Sequence, residues 1–144
     1  MIEQDTIKLL RECDAGIKMG VSSINEVLDY VHSDVFRKCL TDCRDKNEQL
    51  EKEIQSLLDQ YHDDGKEPNP MAKGMSWMKT NVRLVINESD KTIADLITDG
   101  CNMGVKSLNR YLNQYQAADV KSKDIAKRLI NLEERLAVDI RSFL

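Results

Sequence analysis

Gly16 to Leu28 reads GIKMGVSSINEVL, and Gly100 to Leu112 reads GCNMGVKSLNRYL. Seven of these thirteen positions match at an offset of 84: Gly, Met, Gly, Val, Ser, Asn and Leu. The likeness resumes at an offset of 86, where QLEKEIQSLL (Gln49 to Leu58) lies over RLAVDIRSFL (Arg135 to Leu144). The repeated unit is therefore a pair of elements joined by a turn, and the chain is expected to be an internal duplication.

Working outward from the first copy, Leu10, Cys13, Ile17, Gly20, Ile24, Val27 and Val31 step by threes and fours, which predicts one face of a helix from about Ile2 to Val31. A second stripe follows the break His32-Ser33-Asp34 and runs through Phe36, Leu40, Cys43, Asn47, Leu50, Ile54, Leu57 and Tyr61. Either Ser33 or Asp34 can cap it. Shifting these stripes by 84 and 86 gives a third helix on Ala94, Ile97, Cys101, Gly104, Leu108, Tyr111 and Tyr115. The fourth runs on Ser122, Ala126, Leu129, Glu133, Leu136, Ile140 and Phe143. Each hairpin alone leaves an apolar face wet, so the two are expected to pack as an all-α four-helix bundle. The expected layout is a single domain over 1–144, with hairpin one at about 2–62, a crossover at about 63–78 and hairpin two at about 79–144.

The crossover holds both prolines and the apolar cluster Met71, Met75, Trp77 and Met78. These four side chains are either an interface of a homodimer or a plug on the bundle end. The glycine pairs Gly16/Gly20 and Gly100/Gly104 sit inside helices, where each glycine costs about 1 kcal/mol against alanine. They are expected to mark a close contact between the first and third helices, or a place where a ligand is accommodated. A bulky residue at Gly20 or Gly104 would then be forced into that contact.

Composition narrows the function classes. The 144 residues carry a net charge of −4, with basic residues scattered among acids, so a nucleic-acid partner is not expected. No stretch approaches the ~18 apolar residues of a membrane span, and MIEQDTIKLLRECDAG has no signal-peptide core. A cytoplasmic protein with reduced Cys13, Cys39, Cys43 and Cys101 is the expectation. No Ser/His/Asp or Cys/His set and no phosphate loop is present, so no enzyme and no catalytic residue is expected. His32 and His62 fall at opposite ends of the second helix, roughly 45 Å apart at 1.5 Å per residue, and cannot share a site.

The paired hairpins, the central crossover and the stretch GMSWMKTNV (Gly74 to Val82) resemble the ferritin-like superfamily, in particular small bacterial rubrerythrin-related four-helix bundles of unknown function. Metal-binding members of that superfamily place Glu-x-x-His pairs on two helices and one Glu on each of the others. The resemblance puts those pairs at Asn47-x-x-Leu50 and Glu133-x-x-Leu136, with leucine in both histidine places. It therefore implies a metal-free bundle without cofactor, acting as a structural or protein-interaction module. The alternative is an atypical metal-binding or redox protein using Glu133, Asn47, Cys43 and Cys101. Asn47 and Glu133 are the polar entries in otherwise apolar stripes, either a vestige of a site or a register device. An inward Glu133 needs a donor, for which Asn47 is the candidate. Asp14, Asp99, Glu26 and Glu88 are read as lying at the flank or outside.

Overall fold

A computed structural model of the chain describes residues 2–63, 65 and 89–144. Four helices make up the described residues: α1 (Ile2–Leu28), α2 (Asp34–Gln60), α3 (Asp90–Gln114) and α4 (Val120–Asp139), followed by a 3-10 turn at Arg141–Phe143. The four stripes explain them. Leu10, Cys13, Ile17, Ile24, Val27 and Val31 are buried from α1 and its C-terminal turn, and Phe36, Leu40, Cys43, Asn47, Leu50 and Ile54 from α2. The same holds for Ala94, Ile97, Cys101 and Leu108 on α3, and Ser122, Ala126, Leu129, Leu136 and Ile140 beside α4. At the far end of α2 the helix turns by one position, burying Leu58 in place of the expected Leu57.

Local chemistry sets the ends. Ser33 Oγ accepts from the Phe36 amide at 3.2 Å, which settles the cap of α2 in favour of Ser33. Asp119 caps α4 by accepting from the Ser122 amide at 2.8 Å. α2 closes with the His62 amide on the Asp59 carbonyl and the Asp63 amide on the Leu58 carbonyl, a Schellman ending with His62 in the left-handed region at φ 57°. α1 stops at Leu28, three residues short of the expected Val31.

Hydrogen bonds between hairpins fix the helix directions. The amides of His32 and Ser33, in the α1–α2 turn, both donate to the Asp90 carboxylate at 2.8 Å, at the start of α3. At the other end of the bundle the amides of Ala117 and Asp119, in the α3–α4 turn, donate to Asp5 Oδ2 at 3.0 Å and Thr6 Oγ1 at 2.8 Å. α1 thus runs antiparallel to α2 and α3, and α4 antiparallel to α2 and α3. α2 ends and α3 begins at opposite ends of the bundle. The packing agrees, being most extensive within α1–α2 and α3–α4, with α2 on α4 and α1 on α3 completing the ring. Hairpin two was expected from about residue 79; the chain up to residue 88 lies outside the described residues, and so do Met71, Met75, Trp77 and Met78.

The core falls into two clusters. One gathers Ile24, Val27, Phe36, Leu40, Ile97 and Leu136, with Phe143 stacked on Phe36 at 4.7 Å. The other gathers Leu10, Ile17, Leu50, Ile54, Leu108 and Leu129. On every helix the stripe position between the clusters is a glycine or a polar residue: Gly20, Asn47, Gly104 and Glu133.

Asp90 is the clasp between the hairpins at one end. Asp90→Ala is expected to lose about 1–2 kcal/mol in urea unfolding, because two backbone N–H groups lose their acceptor. Asp90→Asn, which keeps one carbonyl oxygen, should lose about half as much; an unchanged midpoint in both would remove the clasp.

Candidate functional site

In the layer between the two clusters, polar side chains enter the stripes at mid-bundle from α2 and α4. Glu133 projects from α4 onto the backbone of α3 at Gly104. A Cβ on Gly104 would land on both carboxylate oxygens of Glu133, with Cδ 2.6 Å away. Gly104 is thus the seat of a side chain from α4, which corrects the expected contact with the first helix. Glu133 Oε2 is shut off from solvent and receives no hydrogen bond. Burial therefore pushes the carboxyl of the half-buried Glu133 up to about 8, because the ionised form has lost part of its hydration without gaining a donor among the described residues.

Asn47 does not supply that partner. Its Nδ2 donates to the Cys43 carbonyl at 2.8 Å and to Cys43 Sγ at 3.4 Å, one turn back on its own helix. Asparagine next to a buried carbonyl takes the nearest acceptor, and the shorter side chain keeps to α2. The remaining glycines also depart from expectation. Among the described residues, a Cβ on Gly16, Gly20 or Gly100 would meet nothing within 4 Å, so none of the three is held by close packing of α1 on α3. Asn25 ties α1 to α2, accepting from Arg44 Nη1 at 3.1 Å, whereas Asn109 donates to its own Val105 carbonyl.

The cysteines around this layer are free and held neutral. Burial, with Glu133 adding to it, lifts Cys43 to about 11 and Cys101 to about 12, and Cys43 adds to the shift at Cys101. Cys13 is lifted to about 12 by burial and by the acids around it, Glu12, Asp14, Glu133 and Glu51. Thiols this weakly acidic are poor nucleophiles and poor ligands at neutral pH.

A second polar cluster, absent from the sequence expectation, lies between α1 and α2. Asp14 has no exposed surface, against its expected place at the flank, while Asp99 is exposed, Glu26 half-buried and Glu88 outside the described residues. Lys18 Nζ donates to Asp14 Oδ2 at 3.1 Å, and Gln55 Nε2 donates to Asp14 Oδ1 at 3.0 Å and to Glu51 Oε1 at 2.8 Å. Gly65, at φ 85°, lies over Asp14, and a Cβ there would strike Oδ2 of that carboxylate. The signal existed: Leu10, Asp14, Ile17 and Val21 form a second stripe beside the main one, facing α2.

These donors do not fit the metal centre that a ferritin-like bundle implies. Glu133 is the lone carboxylate of its layer, Asn47 is committed to Cys43, and Leu50 and Leu136 stand where imidazoles would be. Among the described residues, no group of three or more His, Cys, Asp and Glu side chains is placed to hold a metal ion, and no helix is long and apolar enough to cross a membrane. Comparisons with protein-family models, curated proteins and solved structures gave no match to this chain.

Two outcomes follow from the Glu133 seat. Between pH 4.5, where the unfolded chain loses this proton, and about 8, where the folded one does, the folded state binds more protons, so stability falls as pH rises. Glu133→Gln mimics the neutral acid; its advantage over the parent should be near zero at pH 4.5 and grow to roughly 2–4 kcal/mol at pH 9 in urea titrations. A gap that stays constant with pH would place the carboxyl in water. Second, Gly16→Ala, Gly20→Ala and Gly100→Ala should each raise stability by about 1 kcal/mol in thermal unfolding. Gly104→Ala should gain less, and recover the difference only in a Glu133→Ala background. A loss at Gly16 or Gly20 would restore the close contact that the sequence suggests.

Proposed function

We propose that this chain is a ferritin-like bundle, two duplicated hairpins joined by a crossover, that serves as a structural or protein-interaction module without a resident metal or cofactor. The antiparallel hairpins and the opposite-end placement of the α2 terminus and the α3 start support the topology. The observation that carries the role is the Glu133 carboxyl seated on Gly104 opposite an Asn47 turned onto its own helix. A site evolved to bind a cation would converge its donors, and here the two polar side chains of the layer part company. A lone neutral acid in a bundle core instead disfavours misaligned packing at some cost in stability. The cytoplasmic placement and the homodimer through Met71, Met75, Trp77 and Met78 belong to the same reading.

Metal analysis of untagged protein, with light scattering on the same sample at micromolar concentration, tests it. A dimer with less than a tenth of an equivalent of iron, manganese or zinc is expected. Stoichiometric metal that is lost on Glu133→Gln or Cys43→Ser would overturn the metal-free reading in favour of the atypical site on Glu133, Asn47, Cys43 and Cys101. A monomer would remove the interface.

A further inference from the structure

The Asp14–Glu51 cluster has no part in the role proposed above, and its geometry makes a demand of its own. One amide nitrogen, Gln55 Nε2, touches an oxygen of each carboxyl, which fixes the two acids side by side. Lys18 lies on Asp14 and balances one negative charge. Glu51 Oε2 is closed off from solvent and receives no hydrogen bond from the described residues, and the Asp14 carboxyl is the acid that Gln55 holds beside it. Two carboxyl groups bond to each other only if one of them carries a proton.

We propose that Asp14 and Glu51 hold one proton between them and that this shared proton is a latch, fastening α1 to the C-terminal half of α2 while the pair is protonated and releasing it when the pair ionises. Glu51 is the member that keeps the proton. Burial and the Asp14 carboxyl beside it push it well above the usual glutamate range, against the opposing pull of Gln55 and Lys18. It is also the member that can move. Glu51 lines a groove of about 750 Å³ between α1 and α2, beside Lys18, Val21 and Lys52, so its ionised form has water and the Lys52 ammonium to turn to. Asp14, by contrast, has no exposed surface, and Gly65 lies over it. Among the described residues, the groups around the pair include Lys18 and Glu12 from α1, with the neutral Cys13 thiol near them; Gln55, Glu48 and Lys52 from α2; and Glu133 from α4, which shares the surroundings of Cys13 with this pair.

Site-resolved carboxyl carbon NMR of the full chain across pH 3 to 10 reads the proton directly. The Glu51 carboxyl is expected to titrate at least one to two units above the usual ~4.3 of glutamate, with a matching inflection on the Asp14 signal. Thermal unfolding then reads the latch, in a Glu133→Gln background so that the core carboxyl does not contribute. Glu51→Gln, whose amide donates to Asp14 in the proton's place, should keep the pH 6 melting temperature and remove most of the fall between pH 6 and 8, below the range in which the buried thiols add a fall of their own. Glu51→Ala should melt roughly 3 °C or more lower at pH 6. An ordinary glutamate midpoint, or a Glu51→Gln protein with an undiminished fall, overturns the proposal.

Discussion

A carboxyl group placed inside a bundle of helices has to be neutral or paired, and at Glu133 the chain keeps it neutral. That constraint organises the middle of the molecule. Gly104 leaves the carboxyl its place, which is where a Cβ of that residue would be. The apolar core parts into two clusters because none of the four stripes contributes a large apolar residue at that level. Cys43 and Cys101, close by, remain thiols because an acid beside them and the absence of water both oppose a thiolate. A bundle with this layer replaced by leucine would have one continuous core, and would lose the feature that tells one axial alignment of the helices from another.

The two polar clusters solve the same problem differently. Glu133 faces a glycine and receives no donor at Oε2 among the described residues, so burial is what raises its carboxyl. Asp14 has a lysine, an amide and a second acid, so its charge is distributed over a small network that includes the start of the chain leaving α2. The first is a fixed element of packing. The second joins two helices, with Gly65 laid over it, which is why it has something to release.

The four helices were legible in the sequence because their stripes have the helical period and occur twice; Leu10 to Val31 and Phe36 to Ile54 read correctly almost position by position. The far turn of α2 was not, since Leu57 and Leu58 are adjacent and periodicity cannot choose between them. Glu133 and Asn47 stood out as polar entries in apolar stripes, but the sequence does not reveal whether an asparagine amide crosses to a neighbour or bends back to the carbonyl one turn behind. The glycines were misread for a related reason. Spacing shows that a side chain is missing without showing whether backbone, a carboxylate or open space lies in front of it, and Gly104 and Gly20 prove to be different cases. Asp14 was hidden because a single stripe per helix was read where α1 carries two.

The clasps at the bundle ends bear on the order of events in folding. Asp90 reaches back 57 and 58 residues to Ser33 and His32, and Asp5 and Thr6 reach forward more than 110 to the α3–α4 turn. Each hairpin can form on its own from local contacts, but neither clasp can close until both hairpins exist and are aligned along their axes to within a fraction of a 5.4 Å helical turn. The clasps are therefore bonds of the late assembly, absent while the hairpins are still finding each other. Interactions of that kind leave the rate of folding nearly untouched and slow its reversal, so the four backbone amides at the two ends govern how long the assembled bundle lasts rather than how quickly it forms.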